Sequence, residues 1–283
     1  MPALGLLRAG NFCKSLNSKM TTNNKIIKII IATHKKYQMP KDEIYLPLQV
    51  GAKGKKSLGY MRDDIGENIS SYNSFYCEMT GLYWAWKNLE YDYLGVAHYR
   101  RLFCLYKKKD KWDSVLTNEQ IFELCDKYDI ILPSKRHYFI ETIYSHYAHT
   151  HYSEHLDVTR DVLTEMYPEY VPYYDRTLSR RSAYMFNMFI MRKDLVDEYS
   201  SFIFSVLEEV KNRVDYTGYT SFQKRFVGRI SEIVFNAWLE KKKQDDKTLR
   251  IKKINCVYMD NIDWIKKGRA FLEAKFLGKK YLT

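Results

Sequence analysis

The sequence predicts an α/β fold: a mostly parallel sheet flanked by helices. Three observations carry this. Short apolar, β-branched runs at 25–33, 93–97 and 129–133 read as buried strands. Longer segments with apolar residues spaced by three and four alternate with them. No Pro/Gly-rich linker or internal repeat divides the 283 residues, and 46% hydrophobic content supplies a large core.

The first strand is KIIKIIIAT, Lys25–Thr33, closed by the polar HKK. Pro40, Pro47, Gly51 and Gly54 mark the next stretch as loop, with one short strand at Tyr45–Val50. Ser70–Asn88 reads as a single helix. Tyr72, Tyr76, Met79, Tyr83 and Trp86 form one stripe, and Ser70 or Ser71 serves as N-cap. The strand Tyr93–Ala97 then runs into His98-Tyr99-Arg100-Arg101. A basic loop, a helix at Asn118–Lys127 and the strand Asp129–Pro133 follow. Residues 134–152 read as an aromatic, His-rich loop, and Ser153–Met166 as a helix ended by Pro168. Ala183–Lys193 reads as one strand interrupted by Asn187. Helices at Asp194–Arg213 and Gly228–Lys242 and a late strand within Leu249–Met259 complete the series. Residues 1–24 are expected to be a mobile leader, 25–245 one catalytic domain, and 246–283 a basic, amphipathic, helical C-terminal appendage suited to an anionic membrane surface.

The net charge of +12 favours polyanionic partners, either a phosphorylated substrate or nucleic acid. A nucleic-acid-binding module without catalysis is the alternative reading. It lacks any recognisable reading element, so no nucleic acid is expected. The five cysteines are dispersed without C-x-x-C spacing, which fits a reducing, cytoplasmic setting. P-loop, dinucleotide-binding and nucleophile-elbow motifs are absent, and no Asp-x-Asp ends a strand.

HKKYQMP, RDDIGENISSYNSFYCEMTGLYWAWKN, YDYLGVAHYRRLF, DIILP, NMFIMRKDLVDEY and RFVGRISEIVFNAWL occur in that order over about residues 25–240. In these the chain resembles a bacterial family of capsular and exopolysaccharide glycosyltransferases, formerly a domain of unknown function, with galactofuranosyltransferase members. The resemblance implies a GT-A-like, Rossmann-type sheet with substrates at the carboxyl ends of strands. It also implies a UDP-hexose donor, a lipid-linked or oligosaccharide acceptor, and work in the cytoplasm or on the inner membrane face.

Weighed residue by residue, Thr33, His34 and Lys35 end the first strand where such folds meet the nucleotide. Asp64, Asn68 and Ser70 offer polar groups at a helix start, and Asn73 and Glu78 lie just inside that helix. Capping accounts for part of that set. His98 and Arg100 are expected to meet the departing diphosphate as cations in place of a metal-binding aspartate pair. Arg101 is expected to back them or to pair with a buried acid. If the strand continued, His98 and Arg100 would share a face. No metal ligand is assigned and no cofactor is obligatory; manganese or magnesium stays open as an alternative. Among the histidines 146, 149, 151 and 155, His151 is assigned to the acceptor side, with Asn187 and Arg229. Glu232 is the candidate base for an inverting transfer.

Overall fold

The computed structural model describes residues 25–260. The strands are β1 (Ile27–Thr33), β2 (Tyr45–Gln49), β3 (Met61–Arg62), β4 (Tyr93–His98), β5 (Arg101–Cys104), β6 (Ile130–Pro133), β7 (Arg136–His137), β8 (Ser182–Ala183), β9 (Phe189–Arg192) and β10 (Ile251–Tyr258). The helices are α1 (Asn73–Tyr76), α2 (Met79–Asn88), α3 (Asn118–Lys127), α4 (Ile143–Thr150), α5 (Glu154–Met166), α6 (Val171–Ser179), α7 (Lys193–Arg213) and α8 (Phe226–Asp245).

Eight strands form one sheet in the order β3-β2-β1-β4-β5-β10-β6-β9, and β9 also returns to pair with β4. The ladders β1–β2, β1–β4, β2–β3 and β6–β10 are parallel. The ladders β4–β5, β4–β9, β5–β10 and β6–β9 are antiparallel. The sheet is therefore mixed. β5 runs backwards because the chain reverses through two residues, Tyr99 and Arg100, and pairs His98 with Arg101. The strand does not continue past His98, so the expected alternation of His98 and Arg100 on one face does not apply. Residues 251–258 are an inner strand of this sheet, between β5 and β6, so they belong to the main body rather than to an appendage. The leader 1–24 and the tail 261–283 lie outside the described residues.

Both faces of the sheet are covered. Ile30, Leu48, Val96 and Leu132 face a core with α2, α5, α7 and α8; Ile29, Ile31, Ala97 and Ile131 face the other with α3. α3 has the sharpest boundary because Thr117 and Gln120 close a capping box. α8 is buried almost all round from Phe226 to Leu239, only Arg229 being partly exposed. A helix so placed must satisfy each of its polar side chains inside the protein.

Three local expectations are revised. The helix over 70–88 is broken at Cys77, whose φ is 53°. Asp63, fully buried, accepts from the backbone N–H groups of Gly51 and Ala52 and from the Ser70 and Thr80 hydroxyls. That pins the chain on both sides of the break. The strand over 183–193 stops after Ala183 and resumes at Phe189, because Phe186 and Asn187 take positive φ. The residues 134–152 contain the helix α4, started by Thr142 accepting from the Ser145 N–H. No helix among the described residues is long and apolar enough to cross a membrane.

Candidate active site

The site is built where β1 and β4 end. Tyr99, 3% exposed in the tight β4–β5 turn, is its post. The His34 ring meets it edge-on at 5.4 Å, and the His98 ring lies 4.5 Å away. The Lys35 ammonium and Arg100 guanidinium sit at 5.2 and 5.4 Å from its centroid. An aromatic face attracts cations, so one buried tyrosine gathers side chains that would otherwise repel each other. Arg100 also faces Asp260 at 3.7 Å. Arg225, from the turn before α8, and Lys55, from the glycine-rich loop after β2, add to the positive field on His34.

Burial and that field together decide the protonation of the imidazoles. Burial first, then Arg100, Arg101, His34 and Arg225, pull His98 down to about 3. His98 is therefore neutral at neutral pH. Its Nδ1 accepts from the Arg100 N–H at 3.3 Å, which leaves the ring proton on Nε2. The expectation of His98 as a cation is corrected: its ring is neutral with Nδ1 accepting, and the positive charge comes from lysine and arginine. His34 is lowered as well, chiefly by burial and then by Arg100 and Lys35.

A second group forms where α8 meets the α1–α2 break and the Tyr184–Asn187 turn. Asn187, held at φ 50°, donates to Glu78 Oε1 (3.0 Å) and the Gly228 carbonyl, and accepts from the Ser231 hydroxyl. Glu232 Oε1 accepts from the Phe186 N–H at 3.1 Å and lies 3.8 Å from Arg229. Asn236 accepts from the Tyr184 N–H and donates to its carbonyl. The polar side chains of the buried helix are thus spent on backbone that has left the sheet. Burial pushes the Glu232 carboxyl up; Arg229 opposes the shift, and Glu78 adds to it. Gly228 is required by the close approach, since a Cβ there would lie 3.0 Å from Cys77 Sγ. Cys77 itself accepts from Arg225 Nε at 3.3 Å, and burial holds its thiol protonated.

Arginines join the two groups. Arg101 stacks over Phe186 at 4.1 Å, within the field of both Arg100 and Glu232. It pairs with an aromatic face and not with a buried acid. His151 stacks on Phe222 at 4.9 Å, and burial followed by Arg229 brings it down to about 3. Its Nδ1 is buried with no hydrogen-bond partner.

Of the residues expected to act, the structure gathers His34, Lys35, His98, Arg100, Arg101, Glu78, Asn187, Arg229, Glu232 and His151. The others are engaged in the framework. Thr33 is fully buried and closes a turn onto Lys35. Asp64 is held two-pronged by Arg62, and Asn68 caps Ser70. Ser70 donates to Asp63, and Asn73 donates to the Cys77 carbonyl and to Thr80. Tyr99, Lys55, Arg225 and Arg136, which lies in the field of Glu232, were missed. A cavity of about 790 Å³ opens at the opposite edge of the sheet, but its charges are matched to each other. Asp129 there holds both Arg192 and Arg250. Positive charge on Lys35, Lys55, Arg100 and Arg225 gathers instead at the carboxyl edge, where α/β sheets bind ligands.

The domain of unknown function DUF4422 matches residues 28–244. The chain belongs to that family. The solved apo structure of WbbM, a bifunctional glycosyltransferase, is similar with a TM-score of 0.78 at 29% identity. The match covers 84% of this chain and 46% of that one, so the chain corresponds to less than half of WbbM. Comparison with curated proteins gave no match.

Proposed function

We propose that this DUF4422 protein is a glycosyltransferase of bacterial surface-polysaccharide synthesis. It moves a hexosyl group, galactofuranose or galactose, from a UDP-sugar to a lipid-linked or oligosaccharide acceptor. The observation that carries this reading is the Tyr99-centred cluster of cations opposite a buried carboxylate whose proton affinity is raised. The similarity to WbbM supports it. So do the parallel β1–β2 and β1–β4 ladders, which fit a GT-A-like, Rossmann-type half-sheet.

In this mechanism Lys35, Arg100 and Arg225 face the diphosphate, and neutral His98 donates its Nε2 proton to it. As the anomeric bond breaks, negative charge accumulates on the departing phosphate, and fixed cations stabilise that charge most. Glu232 takes the proton of the attacking acceptor hydroxyl; its raised proton affinity suits a base working near neutral pH. Attack opposite the leaving group inverts the anomeric centre. No divalent metal is obligatory in this scheme. Asp64 is held by Arg62 at 2.7 Å. The work is placed in the cytoplasm, at the inner membrane face.

The test is calorimetric titration with UDP-, GDP- and CMP-sugars, with manganese and with EDTA. UDP-sugar binding in EDTA is expected. Binding to none of them refutes the transferase reading, and strict manganese dependence refutes the cation scheme.

A further inference from the structure

Among the described residues, the largest exposed apolar side chains that adjoin one another belong to one loop. Between β7 and α4, Phe139 is 79% exposed and Ile140 56%, with Tyr144 exposed as the second residue of the helix. Phe139 adopts φ 53°, a conformation that disfavours a bulky residue, and it turns its ring outward. This prong is held stiffly. Glu141, buried behind it, accepts from His146 Nδ1 at 3.0 Å and His149 Nδ1 at 2.6 Å. Tyr138 and Ile143 donate their N–H groups to the Arg181 and Arg180 carbonyls, and Thr142 caps α4.

The rim of the prong is basic. Arg136 and His137 lead into it, and the Arg181 guanidinium donates to the Phe139 carbonyl at 3.4 Å. From Ser134 to Ser153 the only acid is Glu141, and it is buried. An apolar tip in a cationic collar complements an anionic bilayer: the tip enters the acyl boundary and the collar meets the headgroups. We propose that the 138–144 loop is a membrane-docking prong for anionic phospholipid. Its base adjoins the candidate active site, since Tyr138 and Arg136 lie in the field of Glu232. Docking would bring that carboxylate toward the membrane surface, where lipid-borne hydroxyls are presented. The proposal stands on the loop alone and survives failure of the transferase reading.

Co-sedimentation of the full chain with vesicles tests it. Binding is expected to vesicles of equal parts phosphatidylcholine and phosphatidylglycerol, and to weaken with salt. The double variant Phe139→Asp, Ile140→Asp should reduce partition by about tenfold or more, while Ile65→Asp, exposed elsewhere, stays within about twofold. Phe139→Trp should give a tryptophan quenched by brominated lipid in those vesicles. Equal binding by wild type and the double variant overturns the proposal and moves any membrane contact to another segment. So does absence of vesicle binding, or a wild-type dimer that the double variant dissociates, which would make a second copy the occupant. Because both side chains face solvent, the double variant should keep the wild-type thermal transition.

Discussion

Acidification should destabilise this protein well before its carboxylates titrate. Three histidines are held neutral by burial: His98 and His151 at about 3 and His155 at about 4, against an ordinary value of 6.5. The unfolded chain binds protons at these positions as pH falls below the ordinary value, and the folded chain does not. Stability is therefore full above about pH 6.5 and is lost downward from there. At about pH 5 each histidine costs about 2 kcal/mol, so the three together cost at most about 6 kcal/mol. That is comparable with the whole stability of a typical domain. Lowered His34 and His146 act in the same direction; raised Glu232 acts in the opposite one. Carboxylates with lowered values, such as Asp64 and Asp129, enter only nearer pH 4 and below. Urea unfolding followed by circular dichroism at about pH 7.5, 6.5, 5.5 and 5 measures the slope. A loss of several kcal/mol across this window is expected, and His155→Gln should remove about a third of it. A stability at about pH 5 within about 1 kcal/mol of that at pH 7.5 would refute the burial of these imidazoles in neutral form. Bound diphosphate adds a further signature: it offsets the repulsion that Arg100 and Lys35 exert on the half-buried His34, so binding should take up protons and tighten toward acid pH.

Four substitutions separate the roles assigned above. Glu232→Gln should lower transfer by about 100- to 10,000-fold with donor affinity little changed, read from steady-state kinetics beside calorimetry. Arg225→Ala should weaken diphosphate binding by about tenfold or more while leaving the thermal transition near wild type, because its side chain is exposed. Asp63→Ala should destabilise by at least about 3 kcal/mol in urea melts, since four donors lose their acceptor in a dry site. Gly228→Ala should cost about 1–3 kcal/mol and depress activity by pushing α8 off the Cys77 break.

What the sequence made legible, and what it did not, follows from where the deciding contact lies. α3 is readable to the residue because its start is set locally, by Thr117 and Gln120. β1, β4 and β6 are readable because a buried strand needs only a short β-branched run. The break at Cys77 is hidden because the apolar stripe runs on through Tyr76, Met79 and Tyr83. What interrupts it is the distant Asp63 carboxylate, which holds Ser70 on one side and Thr80 on the other. The turn at Phe186 and Asn187 is hidden for the same reason, being imposed by Ser231, Glu232 and Asn236 on a helix some 45 residues later. α4 escapes notice because its buried side is Ile143 and a tyrosine, Tyr147, whose hydroxyl meets His155 of the next helix, a contact that spacing does not announce.

The candidate site divides along the same line. His34, Lys35, His98 and Arg100 stand out because each lies just past a readable strand. Arg225, Lys55 and Arg136 come from loops that no spacing connects to those strands. Their presence changes the chemistry and not merely the inventory. Burial first, then the field of Arg100 and Arg101 to which Arg225 adds, keeps the His98 imidazole neutral, and the positive charge rests on groups that cannot readily lose it. A leaving-group site built this way keeps its charge across the pH range in which its histidines titrate. Activity limited by the chemical step should then follow the titration of the Glu232 base on the acid side, with no second limb from His98 near neutrality. A pH–rate profile at saturating donor measures this, and an acid limb that stays unmoved in Glu232→Asp but disappears in His98→Gln would assign the titrating proton to His98 and refute the role given to Glu232.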